Sequence, residues 1–197
     1  MSSAIDSMIE RAIAEFDRMN SQDPVLIAVG QRQVPRELAL ALWLSEWIHR
    51  VQSSPSVPLR LASRCQHLMR FSVPRSQYPQ GRVGYLTWRK DLSKRHADLA
   101  GQVLRDVGFD SAVIEQVRKI NLKQELKADA DCQAMEDALC LSFLDHEYAD
   151  FCGKHSDEKV VDIVQKTWRK MSEVGQQLAL LLPLEGRPKD LVLRALG

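Results

Sequence analysis

This sequence predicts an all-α, single-domain helical bundle, and three observations predict it. Apolar residues recur mostly three and four positions apart, with no sustained two-residue alternation. Breaks rich in Pro, Gly and Ser fall between the periodic stretches, where helices would start and stop. No repeat, low-complexity segment or linker interrupts the 197 residues, and a chain that is 45% hydrophobic can bury a substantial core.

In order, the first helix spans about residues 4–19, with Ile5, Met8, Ile9, Ala12, Ile13 and Phe16 in period, and Asn20, Ser21, Gln22, Asp23 and Pro24 end it. A second follows Pro35 to about residue 51, with Leu38, Leu42, Leu44 and Ile48 among its apolar positions. Residues 53–56 break the chain, and Ser56 caps a third helix that carries Pro58 in its first turn and ends near Phe71. Residues 74–81 read as a loop. A long helix over about residues 84–107 stops at Gly108, and Asp110 caps the next, which ends near Asn121. Another spans about residues 130–151. Ser156, Asp157 and Glu158 start one that ends near Met171, and Ser172 starts a last main helix to about residue 182. Pro183 and Pro188 bracket a tail with a short terminal helix, so the core of the single domain is expected over about residues 35–182.

A net charge of +1 predicts no general affinity for nucleic acid or a membrane surface. The first residues carry acids and a helical period rather than the basic and apolar regions of a signal peptide. No apolar run approaches the roughly 18 residues needed to span a bilayer. Cys65, Cys132, Cys140 and Cys152 show no CxxC pairing, so the expectation is a reducing cytoplasm rather than a disulfide framework.

Locally the charge is uneven. Residues 60–95 hold Arg60, Arg64, Arg70, Arg75, Arg82, Arg89, Lys90, Lys94 and Arg95 against one acid, Asp91. Guanidinium forks suit phosphate or carboxylate. A solvated face is the alternative. A nucleic-acid groove is another, although Phe71, Tyr78, Tyr85 and Trp88 fall at helical or loop-anchoring positions rather than as a stacking platform. His96 has Leu92, Leu99, Ala100 and Val103 as helical neighbours, which turns it inward, either as a metal ligand or as a hydrogen-bonded core residue. Glu136 and Asp137 sit in a helix apolar nearly all round, where a carboxylate must be salt-bridged, hydrogen-bonded or metal-bound. His67 lies at the margin of an apolar face beside Arg64 and Arg70, whereas His146 and His155 have no such setting. No GxSxG, P-loop, GxGxxG or HExxH motif occurs. The loop from Pro74 through Arg75 and Tyr78 to Pro79 is expected to cover the mouth of a pocket, or to be a connector fixed by its prolines. The apolar residues 178–184 serve equally to cap the core or to pair with a second copy as a homodimer.

Several ordered motifs carry a resemblance. They are Cys65-Gln66-His67, Pro74-Arg75-Ser76-Gln77-Tyr78-Pro79, Gly84-Tyr85-Leu86-Thr87-Trp88-Arg89, His96-Ala97, the run Glu136-Asp137-Ala138-Leu139-Cys140 continuing to Leu144, and Lys166-Thr167-Trp168-Arg169-Lys170-Met171-Ser172. Together they resemble the domain of unknown function 4202 family, a name that brings no established activity. More distantly, the helix order resembles an HD-type metal-dependent phosphohydrolase domain. On that resemblance Gln66 stands at the usual His, His67 at the usual Asp, His96 at a later His and Asp137 at the last Asp, while Asn121 falls where some members have a further His. The first His has no secure counterpart; His49 has the wrong offset, and Glu37 is an acidic candidate on the same helix. The resemblance implies one divalent ion (Mn, Fe, Mg or Zn) on His67, His96 and Asp137, helped by Glu136 or Glu37, with water in the open positions. His67, Asp137 and Glu136 would then be catalytic. Arg64, Arg70, Arg75, Tyr78, Arg89 and Gln66 would bind the substrate, an anionic small molecule such as a phosphate ester or nucleotide. A non-catalytic domain that captures a nucleotide or RNA backbone with the same arginines is the other reading.

Overall fold

The computed structural model describes residues 2–197. Its order is α1 (Ser2–Asn20), β1 (Leu26–Val29), β2 (Arg32–Pro35), α2 (Arg36–Val51), α3 (Val57–Cys65), α4 (Gly81–Val107), α5 (Ser111–Asn121), α6 (Ala130–Ser142), α7 (Tyr148–Lys154), α8 (Asp157–Trp168), α9 (Glu173–Leu180) and α10 (Gly186–Leu196). Short 3₁₀ turns at Arg70–Ser72 and Arg75–Gln77 fill the connection before α4, and a π turn at Phe143–Glu147 links α6 to α7. The all-α, single-domain expectation holds.

Helix ends follow local chemistry. Ser56, Asp110, Asp129 and Ser172 each accept a hydrogen bond from a backbone N–H of the first turn they cap, at 2.9–3.2 Å. Each such cap contributes about 1 kcal/mol. Ser156 occupies an N-cap position without that side-chain bond. Gly108 closes α4 at φ 105°, which brings its N–H to the Leu104 and Arg105 carbonyls.

One core runs through the chain. α2 packs on α6 and α3, α3 on α5 and α1, α4 on α5 and α1, and α8 on α10. Ile9, Ala12 and Phe16 of α1 and Leu191 and Ala195 of α10 are buried in the same cluster as Leu44, Ile48, Leu104 and Leu141. The core therefore extends beyond residues 35–182 at both ends. In the segment 178–184, Leu178, Leu182 and Leu184 pack against it, whereas Leu180 and Leu181 stay exposed. All four cysteines are buried and free. Among the described residues no helix is long and apolar enough to cross a membrane.

The structure departs from the helical pattern in three places. Residues 26–35 form an antiparallel hairpin, pairing Leu26 with Pro35 and Val29 with Arg32 around a turn with Gly30 at φ 59°. Its four-residue strands are too short to establish an alternation. α3 stops at Cys65 rather than near Phe71, because Met69 takes the left-handed region at φ 54°. Buried Asn20 secures that ending, donating to the Arg64 carbonyl and accepting from Met69 N–H. Finally, the single helix expected over 130–151 is divided by the π turn. There Trp47 Nε1 donates to Asp145 across 3.2 Å, and the His146 ring stacks on Trp43 at 4.1 Å.

Candidate functional site

Where the C-terminal ends of α3 and α5 meet the faces of α4, α6 and α8, the packing leaves a cleft of about 960 Å³. The turn after α3 contributes Gln66, His67 and Arg70. α4 contributes Tyr85, Trp88, Arg89, Lys90 and His96. Asn121 and Lys123 come from the end of α5, Glu136 from α6, Glu147 from the π turn, Lys166 from α8, and Arg169 and Lys170 from just beyond it. Seven cationic side chains (Arg70, Arg89, Lys90, Lys123, Lys166, Arg169 and Lys170) thus face two carboxylates.

Backbone geometry sets two of these groups. Met69 and Lys123, both in the left-handed region, turn the chain sharply at the ends of α3 and α5. Such conformations cost energy in a residue with a Cβ and persist where the surroundings fix them. The turn at Lys123 lets its ammonium reach Glu136 at 2.5 Å, and Lys170 approaches the same carboxylate at 3.3 Å. Burial alone would raise the pKa of Glu136, but the two ammonium groups outweigh it and hold the carboxyl ionised. Arg70 lies with its guanidinium carbon 5.3 Å from the Trp88 ring centre, and Arg89 at 5.8 Å from Tyr85. Among the described residues no carboxylate pairs with Arg70, Arg89 or Arg169.

Two imidazoles stand together, their ring centres 6.2 Å apart and edge to face. His96 Nδ1 is 2.7 Å from the Leu68 carbonyl oxygen and must donate to it. Burial pushes the pKa of His96 down to about 4. Burial, reinforced by Arg70, His96, Lys123 and Arg89, holds His67 well below the ordinary histidine value. Both rings are therefore neutral at physiological pH.

The cleft brings together part of the expected set: Gln66, His67, Arg70, Arg89, His96 and Glu136, with Asn121 beside them. Asp137 faces elsewhere. Its carboxylate accepts from Ser172 N–H at 2.8 Å, from Ser172 Oγ at 2.5 Å and from Gln133 Nε2 at 2.9 Å, which fixes the start of α9. Arg64 is also committed, to Asp17 of α1. Arg75 donates to the carbonyls of Tyr78 and Pro79 at 2.9 and 2.7 Å, and Tyr78 donates to Asp91. Their loop is pressed on α4, where a Cβ at Gly84 would come within 1.9 Å of the Pro79 oxygen. It forms a connector, and none of its residues lines the cleft. Glu37, in the first turn of α2, is buried outside the lining, and burial raises its pKa to about 7 despite Arg70 and Arg36.

The donor set does not fit the divalent ion that the HD-type resemblance implies. With Asp137 engaged by Ser172, no three His, Cys, Asp or Glu side chains converge among the described residues. Lys123, Lys166, Arg169 and Lys170 enter the cleft without having been singled out. The spacing of 166, 169 and 170, which share one face of the helix expected to end near Met171, was the available signal.

A family model described as Domain of unknown function (DUF4202) matches residues 10–192. The chain belongs to this family. No curated protein and no solved structure matches it. The DUF4202 match reaches from residue 10 in α1 to residue 192 in α10, so it includes Ala12, Phe16 and Leu191 of the core.

Proposed function

We propose that the cleft binds a phosphate-bearing small molecule of about nucleotide size. The observation that carries this reading is the set of arginines, Arg70, Arg89 and Arg169, that form no salt bridge among the described residues, around a cleft of about 960 Å³. Guanidinium groups meet phosphate oxygens through two parallel hydrogen bonds, and these are free of a directly bonded carboxylate. The volume lies at the upper end of the range for small-ligand sites. A nucleic-acid strand needs a continuous basic track, whereas these cations line one cleft, which favours a small molecule.

Titration calorimetry with adenosine triphosphate tests it. Binding should weaken as salt rises and fall at least tenfold in Arg70→Ala or Arg89→Ala. Tight binding to single-stranded RNA with no binding of the nucleotide would sink the small-molecule reading.

Hydrolysis of the bound phosphate ester is the second reading, and neutral His67 in the cleft favours it. A neutral imidazole can take a proton from an attacking water. Phosphate release from a bound nucleotide should then be lost in His67→Gln while binding persists.

A further inference from the structure

Resting on the reading that the cleft takes a phosphate-bearing ligand, we propose that its floor recognises the rest of that ligand, a neutral group that donates hydrogen bonds to the amide oxygens of Gln66 and Asn121. Both residues line the cleft, and they are only 5% and 1% exposed. Among the described residues, Gln66 Oε1 and Asn121 Oδ1 have no hydrogen-bond partner. A buried acceptor left without a donor costs free energy, so such atoms call for one.

Neighbours decide which end of each amide is free. Gln66 Nε2 donates to the Asn121 backbone carbonyl at 3.3 Å, so that end is the nitrogen. Cys65 points its S–H at the Ala62 carbonyl. Its sulfur is therefore left to accept from Asn121 Nδ2, at 3.4 Å, and the oxygen is the free end of that amide too. His96 adds a third acceptor of the same kind, because its Nδ1 is spent on Leu68 and Nε2 keeps its lone pair.

The helix ends work in the same direction. α3 and α5 both end at the floor, so the partial negative charge of two helix C-termini adds to the acceptor oxygens. A bare anion is served by the cationic rim and gains nothing from this floor. A molecule with phosphate at one end and hydroxyl or amino donors at the other satisfies both. Sugar phosphates and nucleotides have that form, and Tyr85, 43% exposed on the wall, offers a face for a base.

Calorimetric titration of the full chain with ribose phosphate, guanosine monophosphate and pyrophosphate tests this. Pyrophosphate presents phosphate without the donors. Wild type should bind one or both of the other ligands tighter than pyrophosphate. A gain with ribose phosphate assigns the donor to hydroxyls, and a gain with guanosine monophosphate alone assigns it to the base. Asn121→Leu should weaken the favoured ligand roughly tenfold and leave pyrophosphate unchanged. Gln66→Met, which keeps the side-chain length, should do the same if Asn121→Leu melts early. Equal losses for all three ligands, or no preference in wild type, would overturn the floor proposal and leave the anion reading standing. Failure of all three to bind wild type would overturn both. A manganese ion retained by wild type and lost in Asn121→Leu would overturn the donor assignment, since the floor would then be a cation site.

Discussion

Replacing Glu37 with Gln should stabilise the protein in mild alkali and change little in acid. Glu37 is 4% exposed, and its Oε2 has no hydrogen-bond partner among the described residues. Burial raises its pKa from 4.5 to about 7, against the pull of Arg70 and Arg36 and with the push of Asp23 and Glu147. The folded protein thus keeps a proton that the unfolded chain releases above pH 4.5. The unfolded chain binds fewer protons across that window, so stability falls as pH rises from 4.5 and levels off above 7. At about 1.4 kcal/mol per pH unit, the full loss is about 3 kcal/mol. Gln keeps the shape without the charge. Urea denaturation of wild type and Glu37→Gln, compared between about pH 5 and about pH 8.5, isolates this carboxyl because every other group titrates in both proteins. The variant should be more stable at the alkaline end by up to about 3 kcal/mol, with the difference shrinking towards acid. A difference that does not vary with pH, or a variant weaker than wild type at the alkaline end, would refute the argument.

Other perturbations follow from the same packing. A Cβ at Gly175 would lie 2.8 Å from Asp137 Cγ and Oδ1, so Gly175→Ala should cost about 1–3 kcal/mol in chemical denaturation. Asp137→Ala strips the partner from Ser172 N–H and Oγ and should cost about 2–3 kcal/mol. Combined, the two changes should cost less than their sum, because removing the carboxylate makes room for the methyl. His96 runs opposite to Glu37 in pH. Its folded pKa of about 4 lies below the unfolded 6.5, so stability present above 6.5 is lost as pH falls towards 4, by about 3 kcal/mol. His96→Asn, which keeps a donor for the Leu68 carbonyl, should show a smaller acid loss in the same assay.

The helices were legible because each carries both an apolar period and a chemical stop. Ser56, Asp110 and Ser172 were readable as caps, since a short polar side chain before an apolar run has one cheap use there. The inward turn of His96 was readable for the same reason, and it is 3% exposed. What spacing along one helix cannot convey is which side of the bundle a polar residue meets. Glu136 and Asp137 are adjacent in sequence yet about 100° apart around α6. One turns to Lys123 and the cleft, the other to Ser172. Arg64 and Arg70 belong to the same basic run, but the left-handed Met69 between them separates their destinations. Arg64 then answers Asp17, and Arg70 enters the cleft.

The same turn ties the buried acid to the cleft. Glu37 and Arg70 interact electrostatically, although only Arg70 lines the opening. A proton on Glu37 leaves Arg70 with its full charge for an incoming phosphate. Its loss puts a competing carboxylate in the same low-dielectric region, where charges act strongly on one another. Anion binding should therefore weaken as pH rises through about 7 in wild type and change less in Glu37→Gln. Phosphate oxygens themselves gain charge over that range, which by itself strengthens binding to arginine. The two trends have opposite signs, so a calorimetric pH series on both proteins separates them. If the wild-type curve superimposes on the variant's, Glu37 does not act on Arg70 in the bound state.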